Sequence, residues 1–346
     1  GEASMYDLLL KGAHVADPLN GGNGVNDVAV EGGKIAAVGP DLTGPAREVI
    51  DVSGWVLRPG IIDSHVHLGS MWGSPYGPRM LAMNGVTTCL DMAGPLDDIL
   101  EKTPQYGAGL NTAILQFASP PFTFKTNAPS KAEMVELIDK SLAEGALGVK
   151  LLGGHYPLPP EVSSTLIKTA LERRAYVAWH AGTSAHGSNL EGMIEAVRTA
   201  DGYPLHLAHI NAYCRSAIKN ELDEARTAVE LLNANPNIFS ESYISPKNGT
   251  RLTCGPDGKI QSKVTGNCLR HFGFTEDRDG VRKALLAHKA FAVYDAGGYS
   301  DLMTGEDAVK LWESHNTDVG GSFNINPPIP RILLAQVKRP DGAFVV

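Results

Sequence analysis

From residue 58 onward the chain alternates short apolar runs with helix-length segments, and this alternation constrains the fold more than any other feature. Residues 86–92, 111–117, 148–152, 176–180, 205–210 and 238–244 read as strands. Between them, Ser130 with Glu133 and Ser188 with Glu191 form capping boxes, and Pro160 opens a further helix. Repeated strand-then-helix units imply an α/β protein with a parallel sheet, and a count near eight implies a closed (β/α)8 TIM barrel. A doubly wound open sheet is the alternative, but no glycine-rich dinucleotide fingerprint supports it. Residues 1–57 read differently, as short strands with a hairpin turn at Glu31-Gly32-Gly33, so we expect a small β portion there and a barrel over 58–346. Within the barrel range, 246–275 lacks periodicity and reads as an excursion over the barrel mouth, 290–295 as a strand, 332–337 as helical and 343–346 as a strand.

The C-terminal ends of barrel strands converge on one face. Here those ends carry His65 and His67, then Lys150, then His180, then His209. Side chains alternate along a strand, so His65 and His67 point the same way. By the same rule His206, three residues before His209, falls on the opposite face, as packing or as support behind the site. A lone histidine is more often a satisfied core residue, but five nitrogen donors at successive strand ends suit a divalent cation. Lys150 sits inside Gly148-Val149-Lys150-Leu151-Leu152, where a buried ammonium is costly. Desolvation favours its neutral amine, which can add carbon dioxide and become a carbamate able to bridge two cations about 3.5–4 Å apart. The alternative is a lysine paired with a nearby carboxylate.

The run Pro59-Gly60-Ile61-Ile62-Asp63-Ser64-His65-Val66-His67-Leu68 resembles the first-strand signature of the metal-dependent amidohydrolase superfamily. Gly148-Val149-Lys150 resembles the carboxylated-lysine strand of its binuclear members, the hydantoinases and dihydroorotases. The stretch 145–213 is similar to the middle of N-acyl-D-amino-acid deacylases (D-aminoacylases), from which Lys150 departs. The resemblance implies a β-sandwich portion over 1–57, with His65 and His67 on one metal, His180 and His209 on the other, and carboxylated Lys150 between them. Two cations are expected, zinc by ligand type. It also implies hydrolysis of an amide C–N bond of an N-acyl amino acid by a hydroxide bridging the metals. Alternatives are a cyclic amide of the hydantoinase, dihydroorotase or enamidase type, a mononuclear deaminase, and a catalytically impaired barrel. The family's strand-eight aspartate has Asp295 as its candidate here, or else lies beyond Val346 in a chain truncated at its C-terminus. Tyr156, Tyr213, Arg215, Tyr243 and Lys247 follow strand ends and are the candidate substrate clamp. His155 and His186 lie in loops at the same end, within reach of substrate but not at ligand positions. D-aminoacylases place a metal-binding cysteine in the general region of Cys89, though the local motif differs.

A formal net charge of −8 gives no polyanion-binding signal, which argues against nucleic acid and anionic membranes as partners and leaves a small-molecule substrate and a homo-oligomer as the expectation. No apolar run approaches the roughly 18 residues of a membrane span and no signal peptide is visible. Four dispersed cysteines (Cys89, Cys214, Cys254, Cys268) read as reduced thiols of a cytoplasmic protein. Residues 1–4, before Met5, read as an expression scar.

Overall fold

The computed structural model describes residues 5–68, 77–296 and 299–335, and the chain divides into two compact units, Gly1–Ile62 and Asp63–Val346. The first unit holds β1 (Tyr6–Asp17), β2 (Gly22–Glu31), β3 (Lys34–Gly39), β4 (Ala46–Asp51) and β5 (Val56–Leu57). They form one sheet of order β3-β2-β1-β4, with β5 also on β1. Gly32 and Gly33 turn the β2–β3 hairpin with φ of 57° and 73°, values that favour glycine. Ala13, Val15 and Val28 make its small core, packed by Leu10, Val52 and Leu57. Among the described residues this unit is one five-stranded layer. Asp27 ties it together, accepting from the backbone N–H of Gly12 (2.8 Å) and of Leu42 (2.9 Å) and pairing with Lys11 at 2.6 Å.

The second unit is built on a seven-stranded sheet of order β12-β11-β10-β9-β8-β7-β6. Its strands are β6 (Ile61–Val66), β7 (Val86–Ala93), β8 (Asn111–Phe117), β9 (Gly148–Leu152), β10 (Tyr176–His180), β11 (Leu205–Leu207) and β12 (Ile238–Ser240). The pairings from β7 to β12 are all parallel and follow chain order. Helices α1 (Gly77–Met83), α2 (Leu96–Tyr106), α3 (Lys131–Ala143), α4 (Pro160–Glu172), α5 (Leu190–Ala200) and α6 (Glu221–Ala234) alternate with the strands. The expected capping box at Ser130 is present, and Asn189, not Ser188, caps α5. All five residues of β9 are buried, as a strand covered on both faces requires. Alternate residues Val149, Leu151, Val177, Trp179, Leu205 and Leu207 join Leu166, Ile167 and Met193 of the helices in the main core. The other face carries Leu90, Met92, Leu115, Ala178 and Ala208, and Lys150 in register with Ala178.

Beyond β12 the structure departs from the expected barrel. Strands β13 (Asn248–Arg251), β14 (Ala290–Ala296), β15 (Tyr299–Met303) and β16 (Gly320–Phe323) form a separate sheet of order β13-β16-β14-β15 with antiparallel pairings. Helices α7 (Lys263–His271), α8 (Arg278–Leu286) and α9 (Gly305–Ser314) accompany it, and α10 (Pro328–Ala335) follows. This sheet has its own core, with Leu252, Leu285, Trp312 and Phe323, and Trp312 Nε1 donates to the Leu252 carbonyl at 2.9 Å. The stretch 246–275 is therefore part of a folded layer, and the loss of periodicity reflects one short strand and one short helix separated by turns. Seven strands, not eight, make the parallel sheet among the described residues. The strand-like run 343–346 lies outside the described residues.

Candidate metal centre

His65 is the penultimate residue of β6, and His67 follows the strand directly. Asp63 shapes that end by accepting from the His65 backbone N–H at 3.1 Å. The two rings meet edge to face with centroids 5.2 Å apart, as same-side alternation predicts. Lys150 lies mid-β9, His180 ends β10, and His209 follows β11. His209 adopts φ 38° and ψ 65°, left-handed values that end the strand and start a single turn over Ile210–Tyr213. That reversal carries its ring to 5.1 Å from His65 and 4.4 Å from His180. His65, His67, Lys150, His180 and His209 line one cavity of about 40 Å³ with Leu152 and His155. This is room for at least one water-sized body.

Burial sets the protonation of the cluster. It lowers the pKa of His65 and takes those of His67, His180 and His209 well below the usual histidine value, with neighbouring cationic groups adding to the effect. Neutral imidazoles are the form that binds a metal. Burial also brings Lys150 down to about 8, opposed by the charges of Glu241 and Asp91. Its Nζ lies 3.2 Å from Met92 Sδ, a weak acceptor. His209 Nδ1 is buried with no hydrogen-bond partner among the described residues. Four neutral imidazoles, with His209 Nδ1 unpartnered among the described residues, fit a divalent cation. The donors are gathered rather than fully converged. Among the described residues no three His, Cys, Asp or Glu side chains yet meet on one point, and a lysine-derived oxygen ligand would add to that set.

The sequence reading missed Glu241, directly after β12. It is 8% exposed, and its carboxylate accepts from His65 Nδ1, His206 Nε2 and the backbone N–H of His209, the last at 2.6 Å. Burial alone would raise its pKa, but His65 and His206 outweigh that and hold it well below the carboxylate range. The available signal was an acidic residue at a strand end on the same face of the sheet as the histidines. His206 also differs from expectation. It is in register with Ala178, which is in register with Lys150, so it shares their face. Strand alternation stops at Leu207, and the left-handed turn at His209 breaks the count.

Asp295 is not placed at the end of an eighth parallel strand. Its strand β14 pairs antiparallel with β15 and β16, in the separate sheet. Tyr213 is fully buried. Its hydroxyl accepts from Ala181 N–H at 2.9 Å and donates to the Ala208 carbonyl at 2.7 Å, so it ties the ends of β10 and β11 together and leaves no face for substrate. Arg215 and Tyr243 do come together. Arg215 Nη2 donates to Tyr243 Oη at 2.8 Å and to Asn326 Oδ1 at 2.7 Å, and the Tyr243 ring lies 5.9 Å from His209. Asn326 in turn lines a cavity of about 360 Å³ with His271 and Arg331. Lys247 lies over the Phe291 ring at 4.8 Å, and Tyr156 packs on Phe122 with Lys263 over its face at 4.4 Å. His155 does reach the cavity, its ring 4.9 Å from His180, whereas His186 pairs with Glu195 at 3.2 Å. Cys89 does not line the cavity and sits 3.7 Å from Thr112 Oγ1.

In local sequence the chain resembles allantoinases, and in fold it resembles amidohydrolases. No family model matches it. An allantoinase from Rubrobacter xylanophilus is 46% identical over 94 residues, 26% of this chain and 20% of that protein. An allantoinase from Escherichia coli is 44% identical over 99 residues, 27% of this chain and 21% of that protein. The matched segment thus spans about a fifth of the length of these curated relatives. The fold is similar to that of a D-aminoacylase (TM-score 0.63, 18% identity, 95% of this chain and 73% of that one). It is also similar to that of N-acyl-D-glutamate deacylase from Bordetella bronchiseptica, solved with zinc and a phosphonate inhibitor (TM-score 0.65, 15% identity, 94% and 73%), and of a D-hydantoinase (TM-score 0.53, 17% identity, 81% and 66%).

Proposed function

We propose that this chain is the catalytic part of a metal-dependent amidohydrolase that hydrolyses an amide-like C–N bond. The observation that carries the reading is the meeting of His65, His67, Lys150, His180 and His209 at one cavity from four different strands. Those residues would hold one or two divalent cations, with Lys150 as its carbamate the oxygen ligand. When bound, such cations supply a nucleophile at neutral pH and polarise the substrate carbonyl. The protein's own part is to keep four imidazoles neutral, to exclude bulk water, and to orient the substrate. Arg215, held by Tyr243 and Asn326, offers a cationic clamp for a carboxylate or a polarised imide beside His209.

Two substrate classes follow from the relatives. A cyclic amide is favoured here, because Lys150 lines the cavity while Cys89 does not, and because the local sequence likeness is to allantoinases. An N-acyl-D-amino acid is the second reading, supported by the D-aminoacylase-like fold. The test is a screen of metal-loaded protein over allantoin, hydantoins, dihydropyrimidines and N-acyl-D- and N-acyl-L-amino acids, with and without bicarbonate. Turnover of a cyclic amide that needs both metal and bicarbonate is the expected result. Absence of turnover on every class in protein shown to be metal-loaded overturns the proposal.

A further inference from the structure

One buried hydrogen-bond chain crosses the interior face of the parallel sheet. The Tyr176 hydroxyl, at the start of β10, is hydrogen-bonded to His206 Nδ1 at 2.7 Å. His206 Nε2 then reaches Glu241 Oε2, and Glu241 Oε1 takes both His65 Nδ1 and the backbone N–H of His209. Glu241 sets the donor roles of the two rings that it touches. An ionised carboxylate only accepts, so His65 carries its proton on Nδ1 and His206 carries its proton on Nε2. The tyrosine hydroxyl meets the other ring nitrogen of His206. His206 is 3% exposed and Glu241 is 8% exposed, so water is a poor substitute for any of these partners.

We propose that Glu241 is a positioning residue of the metal centre: it fixes His65 as the Nδ1–H tautomer and turns its Nε2 lone pair toward the cavity, with Tyr176 and His206 holding Glu241 in place. A carboxylate behind a metal-binding imidazole locks ring orientation and raises ligand basicity, and its loss typically costs about 10–100-fold in metal affinity. The backbone contact to His209 adds a second effect, since the same oxygen pins the left-handed turn that brings that ring to the cavity. The inference rests on the metal-site reading above and deepens it.

The test uses the whole chain. Cobalt(II) binding is measured by competition with a chelator in wild type, Glu241→Gln, His206→Gln and Tyr176→Phe, with circular dichroism and melting curves as controls for folding. In parallel, nitrogen-15 spectra of the metal-free chain read the His65 tautomer. The expected result is cobalt affinity weaker by about 10–100-fold in Glu241→Gln and by a smaller factor in His206→Gln, with a mixed His65 tautomer in both. If Glu241→Gln does not fold, His206→Gln, which keeps the carboxylate, decides alone. Wild-type affinity and tautomer in a folded Glu241→Gln overturn this inference and leave the metal site standing. Loss of a whole equivalent of cobalt with the tautomer unchanged also overturns it, because Glu241 is then itself a ligand. A wild-type chain that takes up no cobalt overturns the site reading and this inference together.

Discussion

Replacing Lys150 with methionine tests the energetic basis of the site in the absence of any metal. The lysine is 1% exposed, and burial takes its pKa from 10.5 to about 8. At about 1.4 kcal/mol per pH unit, that depression means the folded protein bears about 3 kcal/mol at pH 7 to keep the ammonium inside. Below pH 8 both folded and unfolded chains hold the proton, and the cost is present in full. Between 8 and 10.5 the folded chain has released it and the unfolded chain has not, so wild-type stability rises with pH. Methionine keeps most of the volume and removes the charge. In urea unfolding with chelator and carbon-dioxide-free buffer, Lys150→Met should therefore be more stable than wild type at pH 7 by up to about 3 kcal/mol. The advantage should shrink steadily as pH rises toward 10.5. With metal added the order reverses for binding, since the variant has no amine to carboxylate. A variant that is less stable at pH 7, or whose advantage is constant from pH 7 to 10, refutes the reasoning.

Other consequences are equally direct. Gly154→Ala places a Cβ 2.0 Å from His180 Nε2, so it should displace that ring and weaken metal binding on the order of tenfold or more in a chelator competition while the melting curve shifts little. Tyr213→Phe leaves the buried Ala181 N–H and Ala208 carbonyl without their partner, which should cost about 1–3 kcal/mol in denaturant unfolding without a selective effect on substrate KM. Asp27 has its carboxyl held below the usual value first by Lys11, then by the Gly12 and Leu42 amides, against the effect of burial. Its contribution is present above the ordinary carboxylate pKa and is lost as pH falls through the lowered one, so Asp27→Asn should flatten the acid limb of stability of the first unit, followed by amide exchange of Gly12 and Leu42.

The local alternation of apolar strands with capped helices was enough to determine an α/β chain with a parallel sheet, because burial on both faces writes continuous apolar runs into strands such as 148–152. It was also enough to single out His65, His67, Lys150, His180 and His209 as candidates, because polar residues in or just after apolar strands stand out by position alone. What it left open depends on contacts between residues far apart in the chain. Asp295 and Tyr213 matched the pattern of site residues. Only pairing partners place the strand of Asp295 in an antiparallel sheet, and only the packing of β10 against β11 consumes the Tyr213 hydroxyl. Glu241 is 176 residues from His65, and no local pattern reports that separation. Strand periodicity puts His206 on the face opposite His209, but it does not hold across the left-handed turn at His209. Periodicity is a property of regular backbone, so it locates the strands and their ends. Where a chain leaves regular structure to build a site, the position of each side chain is decided by tertiary packing.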